Sequence, residues 1–226
     1  MAYVLRTRRA GTDGRATRRS STTPSRERGE DARARAMTHA AADAARSTAR
    51  VPLLPRRIVG IDPGSRLAGF GVIDIDGAQV SHVAHGHVTV RGESFAERLC
   101  MLHDAISAVV VEHRPTEATI ESVFVRKNVS SALKLGQARG ASLVALAGHG
   151  LSVAEYAPRS IKQLVTGRGG ASKEEVQAMV RACLRLSETL QADAADALAI
   201  ALCHARTNGS VDLSRAPRRR GRGLRV

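Results

Sequence analysis

Four carboxylates stand out in this chain for where they fall: Asp62, Glu121, Asp193 and Asp196. Asp62 ends the apolar run Ile58-Val59-Gly60-Ile61 and precedes Pro63-Gly64, and Glu121 ends the run Ala118-Thr119-Ile120. Asp193 and Asp196 lie in Ala192-Asp193-Ala194-Ala195-Asp196-Ala197-Leu198-Ala199-Ile200-Ala201-Leu202, which is apolar nearly all round apart from the two acids. Each has an ordinary explanation when taken alone. Asp before Pro-Gly is a turn residue, a Glu ending a strand is a solvated edge, and two Asp at this spacing are an N-cap and its first-turn partner. The composition of the last stretch weakens the capping explanation. A helix apolar on most faces is buried on most faces, and buried carboxylates need positive partners, metal ions included. If the strands ending in Asp62 and Glu121 are neighbours, both acids emerge at one sheet edge, and a helix packed there adds Asp193 and Asp196. Such a cluster suits oxygen-seeking divalent ions, Mg²⁺ above all, with Mn²⁺ able to substitute. Two such ions close together would activate water and stabilise the leaving oxygen in phosphodiester hydrolysis.

The elements that must position these acids follow from periodicity and turn chemistry. Ile58 to Ile61 is a strand, Gly69 to Ile73 a second that leads to an Asp76-Gly77 hairpin, and Val80 to Val90 a third. Phe95, Leu99, Leu102, Ile106 and Val109 recur at helical spacing until Pro115, and a fourth strand runs into Glu121. A helix is expected from about Ser130 to Gly148 and a fifth strand from Leu151 to Tyr156. Ser172-Lys173-Glu174-Glu175 fits a capping box opening a helix, and the last helix runs from about Asp193 to His204. Gly136, Gly140 and Ala141 would let another backbone approach the middle helix, from a sheet or from a second subunit. A three-strand meander followed by alternating helices and strands indicates an α/β domain with a five-stranded mixed sheet flanked by helices.

Charge draws the boundaries. Residues 1–57 hold 14 Arg and 5 acids, residues 207–226 hold 6 Arg and one acid, and the stretch between balances 15 bases against 15 acids. The whole net charge of +14 therefore sits in the two ends. The expected organisation is a basic, disordered extension over 1–56, a nuclease domain over 57–207 and a basic, disordered tail over 208–226. The extension reads as a nucleic-acid arm, as an unselected leader ahead of Met37, or as an organelle-targeting peptide. No apolar run approaches membrane-spanning length and no secretory pattern opens the chain. Cys100, Cys183 and Cys203 lack metal-ligand spacing and read as core residues of a reduced, cytoplasmic protein.

In Gly60-Ile61-Asp62-Pro63-Gly64-Ser65-Arg66, Ile120-Glu121-Ser122-Val123-Phe124, Ser131-Ala132-Leu133-Lys134-Leu135-Gly136-Gln137-Ala138-Arg139-Gly140 and Gln191 to Ala199 the chain resembles the RuvC family of Holliday junction resolvases. The resemblance covers about residues 57–206. It implies a ribonuclease H-like fold and a homodimeric, Mg²⁺-dependent endonuclease that resolves four-way junction DNA by paired symmetric nicks in recombination and repair. It also implies a branch-migration motor of RuvA- and RuvB-like proteins as partner. Asp62, Glu121, Asp193 and Asp196 match the family's catalytic, metal-binding carboxylates; Lys162 and Lys173 match basic positions near the substrate; Phe124 matches an aromatic that stacks on a junction base.

The residues themselves allow two readings of Phe124: ordinary core, or a loop tip beside Arg126, Lys127 and Asn128 where a ring stacks on an unpaired base. Lys162, Arg168 and Lys173 are either solvated charges or phosphate contacts lining a cleft with acids at its floor. Two other functions compete. An actin- or sugar-kinase-like ATPase would explain Gly-Ile-Asp-Pro-Gly-Ser but requires a second such domain. A basic architectural DNA-binding protein would use the tails and leave the four acids unexplained.

Overall fold

The computed structural model describes residues 5–9, 56–122, 129–187 and 189–209. Two units divide the chain: Met1–Ala10 with Pro55–Val226, and Gly11–Leu54, the second wholly outside the described residues. In the first unit, β1 (Leu5–Arg9), β2 (Arg56–Asp62), β3 (Leu67–Asp76), β4 (Gln79–Thr89), β5 (Glu117–Glu121) and β6 (Val153–Tyr156) form one sheet in the order β1-β4-β3-β2-β5-β6. The helices are α1 (Phe95–His113), α2 (Val129–Gly148), α3 (Pro158–Thr166), α4 (Lys173–Leu184) and α5 (Ala192–Thr207). The sheet is mixed: β2 to β4 form the expected antiparallel meander, while β2–β5 and β5–β6 are parallel. Asp76-Gly77 makes the β3–β4 turn, with Gly77 in the left-handed region at φ +57°.

Two elements depart from expectation. The strand Leu5–Arg9 pairs antiparallel with β4 and extends the five expected strands to six, inside an extension whose composition argues for no structure. Backbone pairing along an open sheet edge needs little apolar side-chain content, so composition gives no sign of it. The helix α3 is the second. Pro158 occupies its first turn and Gly167 closes it at φ +81°, a start and stop signal that is present in the sequence.

Each face of the sheet is covered. On one, α1 and α2 bury Leu102, Ile106, Val109, Ala138 and Leu146 against Val59, Ile61, Phe70, Val72 and Ile120. On the other, α5 lies on the sheet centre with α3 and α4 beside it, around Ile58, Ile73, Val165, Val180, Leu198 and Leu202. Because strand side chains alternate between faces, Ile58 on the α5 side puts Gly60 and Asp62 there too.

The helix ends are built as the sequence suggests. Ser172 Oγ accepts from Glu175 N at 3.2 Å while Glu175 Oε2 accepts from Ser172 N at 2.8 Å, and Ser94 and Glu97 cap α1 in the same way. Two long-range pairs hold the strand starts. Arg57 clasps Asp74 through two hydrogen bonds of 2.7 and 2.8 Å and donates to the His113 carbonyl at the end of α1. Arg56 clasps Glu117 at 2.5 and 2.7 Å, and Glu117 also meets His204 at 2.9 Å. Of the cysteines, Cys203 is buried and Cys183 half-buried, with their thiols pushed up by burial to about 12 and about 11. Cys100 is exposed, a correction to its reading as core: it lies on the outer side of α1.

Candidate active site

The parallel register Ile58↔Glu117 through Ile61↔Ile120 makes β2 and β5 neighbours, and both run out at the same end of the sheet. Thr119 pairs with Gly60, so Asp62 and Glu121, each two residues further on, lie on the face covered by α5. Glu121 is no solvated edge residue, because β5 runs between β2 and β6. Nor is Asp193 the N-cap of α5. Gln191 holds that position without a side-chain hydrogen bond, which leaves Asp193 and Asp196 within the first turns, half-buried against the sheet.

Three glycines set how close α5 comes. A Cβ on Gly60 would lie 2.2 Å from the Ala197 carbonyl oxygen, one on Gly69 2.0 Å from that of Asp193, and one on Gly71 2.7 Å from Leu198 Cδ2. All three face α5, since Gly71 pairs with Gly60 and Gly69 with Asp62. The helix backbone thus rests on bare sheet backbone, which brings its two acids down to the strand ends. These glycines belong to the site as much as the carboxylates do. Gly at alternate strand positions, read together with the alanine-rich helix, is the signal for them.

The electrostatics register the crowding. Asp62 is pushed up from 3.8 to about 7, first by burial and then by Glu121, Asp196 and Asp193, with Lys173 opposing. Glu121 is raised by burial and by Asp196, against the pull of Lys173 and Lys162. Lys173 Nζ sits 2.7 Å from Asp196 Oδ2, a contact that raises the ammonium's own pKa. Glu121, Lys162, Lys173 and Asp196 line one cleft of about 180 Å³ with Pro158 and Ile161. A larger cleft of about 910 Å³ opens from Glu121 and Ser122 between α2 and α3, walled by Leu135, Arg159 and Gln163. Arg168 is spent on an ion pair with Glu175. Phe124, Arg126 and Lys127 lie outside the described residues, as do residues 210–226 of the tail.

The donor set fits a hard cation: all oxygen, net negative, and already in contact with one ammonium group. Among the described residues no three such side chains converge closely enough to grip one ion as they stand.

A mixed sheet with antiparallel strands first, helices on both faces and acids at the ends of β2, β5 and α5 is a ribonuclease H-like arrangement. The family described as crossover junction endodeoxyribonuclease RuvC matches residues 58–204. The Chromohalobacter salexigens crossover junction endodeoxyribonuclease RuvC is 51% identical over 166 residues, 73% of this chain and 89% of the relative. Its Hahella chejuensis counterpart is 49% identical over 170 residues, 73% and 99% of the two chains. The solved Thermus thermophilus RuvC in complex with Holliday junction substrate superposes with a TM-score of 0.63 at 39% identity, covering 68% of this chain and 94% of that one. The chain belongs to the RuvC family of crossover junction endodeoxyribonucleases. Among the described residues no helix is long and apolar enough to cross a membrane.

Proposed function

We propose that Asp62, Glu121, Asp193 and Asp196 are the catalytic and metal-binding residues of a Holliday junction resolvase that nicks two symmetric strands of a four-way junction during DNA recombination and repair. The observation that carries this is their placement: two acids end adjacent parallel strands on one face, and two more are pressed onto that end by a helix seated on glycine. Two Mg²⁺ ions per subunit, held by these four carboxylates and replaceable by Mn²⁺, would supply an activated water and charge stabilisation for the leaving oxygen. Lys173 and Lys162, beside the acids, hold the phosphodiester against them and offset the repulsion between phosphate and carboxylates. Phe124 stacks on a base opened at the crossover, with Arg126 and Lys127 on the flanking phosphates.

Two-fold cleavage calls for a two-fold enzyme. Leu133 and Val144 of α2 are exposed apolar side chains, and Val129 extends the row. Gly136 and Gly140, on the same helix, have open space where a Cβ would be. This row is the face proposed to pair with a second copy. The working setting is the cytoplasm, with a RuvA- and RuvB-like branch-migration motor delivering junctions, and the Arg-rich tails adding unspecific affinity for DNA. The test is incubation with a synthetic four-way junction and Mg²⁺, read on a denaturing gel. Asp62→Asn, Glu121→Gln, Asp193→Asn and Asp196→Asn should each abolish cutting and leave junction binding largely intact. Near-normal cutting by both helix variants would sink the assignment of α5 to the chemistry.

A further inference from the structure

A parallel ladder alternates its bonds from one neighbour to the other. In β5, Ala118 N donates to Ser152 O at 3.2 Å and, beyond the strand's end, Ser122 N donates to Tyr156 O at 2.9 Å. The even-numbered residues therefore bond to β6, and Thr119 and Glu121 direct their N–H and C=O groups towards β2. With Ile61 opposite Ile120, the next donor in register for the Glu121 carbonyl is the backbone nitrogen of residue 63. That residue is Pro63, which has no N–H. The turn that ends β2 thus removes the ladder bond that would have held the backbone of Glu121.

The missing donor comes from α2. Arg139 Nε donates to Glu121 O at 3.1 Å, and its Nη2 is ion-paired with Glu155 on β6. Its side chain is only 18% exposed, so it is packed in this position. The Nη2–Glu155 contact is an ion pair without a hydrogen bond, so the directed bond of this side chain is the one from Nε to the Glu121 carbonyl, fixed by a rigid planar group that an ammonium on a flexible stem does not reproduce. We infer that Arg139 is a positioning residue for the reaction: it replaces the hydrogen bond Pro63 cannot give, and so sets the direction in which the Glu121 carboxylate leaves the sheet. Arg139 touches neither substrate nor reacting atoms in this role, and acts through Glu121. The inference rests on Glu121 belonging to the catalytic set.

The experiment compares Arg139→Gln, Arg139→Lys and Glu155→Gln in the full-length protein. Arg139→Gln should lower kcat on a four-way junction by roughly ten- to a hundredfold and raise the Mg²⁺ concentration for half-maximal cutting, with junction affinity in EDTA within about twofold of the parent. Glu155→Gln removes the ion pair but leaves the bond to Glu121, and should cost kcat no more than about threefold. Hydrogen–deuterium exchange in EDTA should show faster exchange at residues 117–122 in Arg139→Gln and not in Glu155→Gln. Adding Pro63→Ala to Arg139→Gln restores an N–H at the vacant register and should recover part of the lost protection. Equal losses in Arg139→Gln and Glu155→Gln would make the ion pair the whole of the role and overturn the inference, as would a loss of junction affinity matching the loss of cutting. If Arg139→Gln does not fold, Arg139→Lys decides: full kcat and normal exchange at 117–122 would also overturn it. Should Glu121→Gln itself cut normally, the underlying assignment of Glu121 fails instead, which the exchange data alone would not show.

Discussion

Replacing Asp62 by Asn should make the metal-free protein more stable. Asp62 is half-buried among Glu121, Asp193 and Asp196, and its carboxyl is pushed up from 3.8 to about 7. The sign follows from proton linkage. Between those two values the folded state holds a proton that the unfolded state has released, so stability falls as pH rises through the window and levels off above about 7. A shift of about three units corresponds to about 4 kcal/mol. That is a ceiling, because buffer cations can enter the open cleft and relieve the repulsion. Half of it, in a domain of this size, is roughly 4–8 °C in melting temperature. Asparagine has the shape of the carboxylate without its charge and escapes the penalty. The assay is thermal unfolding in EDTA from pH 4 to pH 8, wild type against Asp62→Asn. The two melting temperatures should nearly coincide at pH 4, diverge as pH rises, and stay apart by a constant interval above pH 7. Millimolar Mg²⁺ at pH 8 should narrow the interval by stabilising the wild type more. A variant that melts at or below the wild type at pH 8 would refute the reasoning, and so would a gap independent of pH, which would reflect packing and not charge.

Gly69→Ala places a Cβ 2.0 Å from the Asp193 carbonyl oxygen; lifting α5 to make room should cost about 1–3 kcal/mol in denaturant unfolding and reduce cutting far more than that loss explains. Leu133→Glu puts a charge in the exposed row of α2 and should leave the protein folded but monomeric by sedimentation; an unchanged mass would move the dimer face elsewhere. Phe124→Ala should reduce junction cutting by about ten- to a hundredfold, since stacking is worth roughly 1–3 kcal/mol per base, with little change in melting temperature. A large fall in melting temperature would place that ring in the core.

What could be read from the chain in advance divides by the range of the interaction. Local signals carried the strands ending in Asp62 and Glu121, the Ser172 capping box and the buried character of α5, because a strand's alternation, a cap and an apolar helix are each written within about a dozen residues. The four acids could be named as a set only on condition that two strands some 60 residues apart in sequence were neighbours, and no local pattern supplies that condition. The pairing of β2 with β5 meets it. What remained hidden is relational. Arg139 is an ordinary helix residue until its guanidinium is seen on the Glu121 carbonyl, and the need for it arises from a proline 76 positions earlier. Lys173 could be read from the residues alone either as a solvated charge or as a phosphate contact, and its contact with Asp196 joins the first turn of α4 to the first turns of α5. The three glycines were in plain view inside the strands, yet Gly in a strand reads as a weakness until a helix is known to lie on it. The chemistry of this site is therefore carried by residue types that sequence exposes, and its geometry by close backbone approaches and long-range polar contacts. Conservative changes at Gly60, Gly69 or Arg139 should for that reason impair cutting, less completely than changes to the acids, while altering none of the four carboxylates.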